Sequence, residues 1–172
     1  ASGAVAGLCP VTEANLGDGP FNGPAWLSAG GQFGIGSDSN VRISLTEELR
    51  TLEYSQRQRD LSRNVMTCGD GSVGQAIYLA AARGGAQALG RKSGMIAEGC
   101  LADLVAVDPS HPSLCALQPH QLLDGLAFAA PDGVVTDVWS AGRHMVRRGH
   151  HVAHDRIVGA WRRVVRDLVG TL

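Results

Sequence analysis

No apolar run in these 172 residues approaches the roughly 18–20 that a membrane-crossing helix needs. A formal net charge of −1 provides no basic surface to attract nucleic acid. Charged residues at 18% and hydrophobic residues at 44% are ordinary for a globular chain and exclude bulk disorder. Lysine occurs once, at Lys92, in no Walker motif, and no G-x-G-x-x-G joins a strand to a helix. A phosphate cradle is therefore excluded. There is no G-x-S-x-G elbow to expose a nucleophilic serine. The four cysteines, Cys9, Cys68, Cys100 and Cys115, lie too far apart for a zinc ribbon or a redox pair. Reduced thiols in a cytosolic protein are the default, with Cys9 and Cys100 expected as buried packing residues. The histidines do not pair at H-x-H, and His150-His151-x-x-His154 reads as an exposed turn.

Glycine is abundant, at 23, and marks the turns of an alternating pattern. An apolar strand over 4–9 is followed by a polar, glycine-rich loop over 12–19. A short helix over 24–29 and a second apolar strand over 32–36 come next, and then the small polar run Ser37-Asp38-Ser39-Asn40. Ser44-x-x-Glu47 forms a capping box. The helix it opens carries Leu45, Leu49 and Leu52 on one face and Glu48, Arg50, Glu53 and Arg57 on the solvated face. An alanine-rich helix spans 73–89 and stops at Gly90. Short, continuously apolar strands alternating with helices predict parallel α/β architecture.

The pattern changes near residue 93. A strand over 102–107 and a loop marked by Pro109, Pro112 and Pro119 precede a hairpin. Its strands, 134–140 and 143–147, join across Ala141-Gly142. A terminal helix follows, with Asp155 as its cap. Ile157, Val158, Trp161, Val164, Val165 and Leu168 form a stripe expected to dock on a core.

Asp38 is the sharpest chemical candidate. It directly follows a buried strand, and in parallel barrels the strand carboxyl ends carry the active site. A carboxylate there can bind a metal or accept a proton. The same run of small polar residues is also ordinary turn chemistry. Glu13 and Asn15 leave the neighbouring strand on the same side, so they are candidate substrate contacts or simply parts of a surface turn. Arg42 can form a bidentate pair with a substrate carboxylate, or lie on the surface as the chain enters the helix.

Three stretches carry a family resemblance. Gly34-Ile35-Gly36-Ser37-Asp38-Ser39 resembles the end of the eighth barrel strand in the amidohydrolase superfamily. Residues 102–108 resemble its return strand into a small β-sandwich, and residues 138–149 resemble its closing hairpin. Cys9-Pro10-x-Thr12-Glu13-Ala14-Asn15-Leu16-Gly17-Asp18-Gly19 and the runs 36–45 and 47–57 are similar, more narrowly, to the formimidoylglutamate deiminase family.

The resemblance implies the last strand–helix units of a (β/α)8 metal-dependent hydrolase barrel over 1–92. It further implies part of a β-sandwich over 93–152 and a C-terminal helix over 153–172. It implies one divalent metal ion, zinc by preference, with Asp38 both a ligand and the acceptor of a proton from the attacking water. The reaction implied is hydrolysis of N-formimino-L-glutamate to N-formyl-L-glutamate and ammonia, a step of histidine breakdown in the cytoplasm. The partner is a small-molecule substrate, with neither nucleic acid nor membrane, in a homo-oligomer when the enzyme is full-length.

The family's H-x-H pair and its further metal histidine are absent from these residues. The chain is therefore expected to be a carboxyl-terminal portion that is inactive by itself. Two alternatives stand beside this reading: an aryl or guanine deaminase type of aminohydrolase, and a non-catalytic interaction domain.

Overall fold

The computed structural model describes residues 2–40, 42–67 and 71–171. Strand β1 (Val5–Leu8) pairs in parallel with β2 (Gln32–Ile35), in a register that sets Val5 beside Gln32 and Leu8 beside Ile35. Helices α1 (Pro10–Leu16) and α2 (Gly23–Ser28) form the crossover between them. Helices α3 (Leu45–Asp60) and α4 (Val73–Ala88) follow β2. One core joins these elements: Leu8, Phe33, Leu49, Leu52, Met66, Val73, Ile77 and Ala81.

The segment expected as a loop over 12–19 is mostly helix α1. Pro10 takes its first turn, where a missing N–H costs nothing. The Glu13 carboxylate accepts the Cys9 N–H at 2.8 Å, and Gly17, at φ 77°, ends the helix.

Helix α3 begins at the expected cap, with Ser44 Oγ accepting the Glu47 N–H at 3.1 Å. Its buried face, however, is Glu48, Leu49, Leu52, Glu53 and Gln56, while Leu45 is exposed. Glu48 and Glu53 are therefore not on a solvated face, as the leucine spacing suggested. Each polar side chain on that face has a distant backbone partner. Glu53 accepts the Val65 N–H at 3.0 Å and the Met66 N–H at 2.9 Å, and pairs with Arg57 at 2.6 Å. Gln56 accepts the Gly23 N–H at 3.2 Å. Glu53 and Gln56 thus satisfy the rule that burial demands hydrogen bonds.

Helix α4 lies on β2 at very short range. A Cβ at Gly84 would overlap the Phe33 carbonyl oxygen and lie 2.5 Å from its carbon. Glycine is required there by backbone contact.

The second half is a four-stranded antiparallel sheet in the order β3 (Leu104–Val107), β4 (Val135–Ser140), β5 (Arg143–Arg147) and β6 (His150–His151). The β4–β5 hairpin turns at Ala141 and Gly142, both in the left-handed region at φ 49° and 78°. Helix α5 (Leu122–Phe128) lies between the proline loop and β4 and was not expected from the sequence, since its central Gly125 weakens the local signal. Helix α6 (His154–Val169) starts at the N-cap position of Ala153, with Asp155 inside its first turn. None of its described residues is buried, and Ile157, Trp161, Val164 and Leu168 are exposed. The expected docking of this stripe on a core is therefore not seen.

Cys9 and Cys100 are half-buried, not enclosed, and Cys115 is exposed. Cys9 lies between β1 and α1, and Cys100 in the irregular segment between α4 and β3, so neither is packed on every side. Cys68 lies outside the described residues.

Asp103, at the base of β3, fastens the hairpin to the segment after α4. It accepts the Ala141 N–H at 2.7 Å and pairs with Arg91 at 3.2 Å. The Ala141 amide first, then Arg91 and Ser93, hold its carboxyl below the ordinary carboxylate range. A lowered folded value means that the native state binds fewer protons than the unfolded one. The contribution is thus full above the unfolded value of about 3.9 and is lost as pH falls through the lower folded value. In an NMR titration, the Ala141 amide proton is expected to report a midpoint below about 3.9. A midpoint at or above that value would mean that the bond does not hold in solution.

Candidate functional site

Parallel strands β1 and β2 end side by side, and the chain beyond both carboxyl ends gathers the chemistry-bearing residues. The Gly36 N–H continues the ladder by donating to the Leu8 carbonyl at 3.0 Å. The chain then turns. The Asn40 N–H donates to the Ser37 carbonyl at 3.0 Å, and Asp38 sits in the left-handed region at φ 48°. Asp and Asn tolerate that region better than most residues with a side chain. Asp38 is exposed, so it is not consumed as a buried cap.

The opposing wall comes from α1. Thr12, nearly fully buried, donates its hydroxyl to the Ser37 carbonyl at 2.9 Å. Glu48 reaches across from α3, and its Oε2 accepts the Val11 N–H at 2.8 Å. Its other oxygen is buried without a partner among the described residues. Burial pushes the Glu48 carboxyl up, and Glu13 and Glu47 add to this, against the Val11 hydrogen bond. Burial, then the negative charges of Asp38, Glu13 and Glu48, also push the Cys9 thiol up. Cys9 is thereby kept as a protonated thiol, the opposite of what a nucleophilic cysteine needs.

The other sequence candidates occupy different settings. Glu13 caps its own helix and lines a groove of about 540 Å³ with Pro10, Thr51, Ser55 and Arg59, to which Asp38 does not contribute. Asn15 is exposed on α1. Arg42 is ion-paired with Glu47, and its backbone closes against the Asn40 side chain. Thr12 and Glu48 escaped the sequence reading. The available signal for Thr12 was its place one residue after the helix-starting Pro10-Val11. For Glu48 it was an i, i+4 relation to Leu52, which puts it on the face that is in fact buried.

Among the described residues, no three His, Cys, Asp or Glu side chains converge as a metal site. A catalytic zinc takes three protein ligands as a rule. Asp38 is a chemically suitable single donor, and the described residues do not complete a centre around it. No described helix is long and apolar enough to cross a membrane.

Residues 2–145 match the amidohydrolase family. The chain is 48% identical to the formimidoylglutamate deiminase of Pseudomonas aeruginosa over 98% of its own length and 37% of that protein's. It superposes on an amidohydrolase from Brucella melitensis with a TM-score of 0.88 and 44% identity, covering 96% of this chain and 36% of the other. An adenosine deaminase from Xanthomonas campestris, solved with bound zinc, superposes with a TM-score of 0.83 and 29% identity over 98% of this chain and 38% of the other. The chain therefore spans a little over a third of the length of these relatives. The parallel strand–helix units, the antiparallel sheet and the terminal helix form the α/β arrangement that the sequence pattern predicts. With the family match covering most of its residues and the fold agreeing closely, this chain belongs to the amidohydrolase family.

Proposed function

We propose that this chain supplies the Asp38-bearing part of a metal-dependent iminohydrolase. The reaction is N-formimino-L-glutamate plus water giving N-formyl-L-glutamate plus ammonia. One observation carries the reading: Asp38 is presented, exposed, beyond the carboxyl end of β2 and beside that of parallel β1. The 48% identity to a protein named for this reaction supports the choice of substrate.

In this reading Asp38 has two tasks. It is one donor to a divalent metal, zinc by preference, whose other ligands come from barrel strands other than β1 and β2. It would also accept a proton as water adds to the formimino carbon and pass it to the imino nitrogen, whose bond to carbon then breaks so that ammonia leaves as the formyl C=O forms. Residues 1–92 would form barrel, 93–152 part of a sandwich, and 153–172 a helix. Glu13, Asn15 and Arg42 remain candidate substrate contacts, with Arg42 first having to exchange its Glu47 partner. The whole enzyme would work on this small molecule in the cytoplasm as a homo-oligomer, as a step of histidine breakdown.

The likeness to a zinc-bound adenosine deaminase supports a second reading, in which the same aspartate serves deamination of a purine nucleoside. Ammonia release separates the two. It is measured with N-formimino-L-glutamate and with adenosine, on this chain alone and on a polypeptide in which the rest of the barrel precedes it. Metal-dependent release is expected only from the longer protein and only with the formimino substrate. Release from adenosine instead would move the assignment to the second reading. Release by the chain alone would show that the metal centre has been misplaced.

A further inference from the structure

We propose that Glu48 is a positioning residue that holds the Asp38 turn in place through helix α1. The inference rests on the reading of Asp38 above. Two consecutive residues in the first turn of α1 grip both flanks of the segment that carries Asp38. On the upstream side, Thr12 donates to the Ser37 carbonyl at 2.9 Å, the same oxygen that closes the turn by accepting the Asn40 N–H at 3.0 Å. On the downstream side, Glu48 accepts the Val11 N–H at 2.8 Å from within α3, the helix into which that segment runs. The Ser37–Asn40 turn and helix α3 are thus both tied to α1.

Pinning has a physical purpose here. Asp38 sits in left-handed backbone, which is disfavoured for a residue with a side chain and persists only when its surroundings enforce it. An exposed turn of small polar residues has little packing of its own to do so. Glu48 is only 1% exposed, and one of its oxygens has no partner among the described residues. Pro10 and Thr12 at the start of α1 are buried, so its amides are not freely open to solvent and Val11 takes an internal acceptor. Burying a carboxyl with one oxygen unpaired is unfavourable, and the position would be more stable with an apolar side chain if packing were its sole task. The geometry gives the expense a use, because α3, packed into the core through Leu49 and Leu52, holds α1, and α1 holds the oxygen on which the Asp38 turn closes.

The test is amide hydrogen exchange on the folded protein, together with steady-state kinetics of the barrel-complete enzyme. Glu48→Met removes the acceptor at similar length. It is expected to speed exchange at Val11 and at Asn40 by tenfold or more, with the Leu49 and Leu52 amides in α3 unchanged. In the enzyme, kcat should fall about tenfold with KM unchanged. Glu48→Gln keeps an acceptor oxygen and should restore Asn40 protection and most of kcat. Thr12→Val cuts the same path further along, so the Glu48→Met/Thr12→Val double variant should lose no more kcat than the worse single variant.

Faster exchange at Val11 alone, with Asn40 and kcat unaffected, would make Glu48 merely a cap and overturn the proposal. So would a uniform rise that includes Leu49 and Leu52, which would signal general destabilisation. If Asp38→Asn proves active, the functional reading falls, while Asn40 exchange still decides whether Glu48 governs this turn.

Discussion

Gly84→Ala is expected to lower the melting temperature sharply, while Gly85→Ala, one residue on, is expected to raise it. A Cβ at position 84 would overlap the Phe33 carbonyl oxygen, lie 2.5 Å from its carbon and 3.0 Å from the Phe33 nitrogen. All three atoms are backbone of β2, so no side chain can swing aside. Either α4 lifts from the strand or β2 shifts in its pairing with β1, and both moves open the core around Phe33 and Ile77. Overpacking in a core costs about 1–3 kcal/mol and occasionally more. The backbone clash places this variant at about 3 kcal/mol, or roughly 6–12 °C for a domain of this size.

At Gly85 an added Cβ meets nothing within 4 Å. There alanine's better helix propensity is worth about 0.5–1 kcal/mol of stabilisation. Thermal unfolding followed by circular dichroism reads both variants. Equal effects of the same sign would mean that α4 does not lie on β2 as described.

Asp38→Asn is expected to cost about 10²–10⁴-fold in kcat in the barrel-complete enzyme, the range associated with a positioned proton acceptor. Asparagine is the informative replacement because it keeps the shape and tolerates the left-handed backbone at φ 48°. It removes the negative charge and the basicity while leaving the turn intact. Asp38 is exposed, and the hydrogen bonds that shape the turn use the Ser37 carbonyl, not the Asp38 side chain. The stability change should therefore stay within about 0.5 kcal/mol, as for other surface substitutions. Catalytic loss at unchanged melting temperature identifies a chemical role. An Asp38→Asn enzyme that keeps most of its ammonia release would remove Asp38 from the mechanism.

The residues that were legible in the sequence are those whose environment is encoded locally. Strands β1 and β2 read as short apolar runs, and their parallel pairing follows from the helices between them. The Ala141-Gly142 turn announced the β4–β5 hairpin. Ser44 announced the start of α3, since a cap needs only the three residues after it. Asp38 was visible because a carboxylate at a strand end is itself a local pattern.

The missed buried polar residues of α3 share one cause, partners far away in the chain. Glu48 lies 37 residues from Val11, Gln56 lies 33 from Gly23, and Glu53 finds its amides 12 and 13 residues on. Within α3 only spacing from the leucines, such as Glu48 to Leu52, sets these polar residues apart from a solvated row, and Leu45 rotated the apparent face. Helix α1 was hidden by its own glycine-rich exit, although Pro10 and Glu13 held the signal for a start. Helix α6 erred in the other direction: its stripe was read correctly, but periodicity identifies an apolar face and not what lies against it.

That stripe has a colloidal consequence. Helix α6 displays Ile157, Trp161, Val164 and Leu168 to solvent, while Arg156, Arg162, Arg163 and Arg166 crowd the same sixteen residues. Four arginines against Asp155 and Asp167 leave the helix net positive, so two copies approaching through it repel. The Debye length shrinks from about 30 Å at 0.01 M salt to about 3 Å at 1 M. Salt thus weakens the repulsion, and salting-out anions such as sulfate strengthen the apolar attraction at the same time. Self-association through this helix is therefore expected to rise with ionic strength, which light scattering at low and high salt reads.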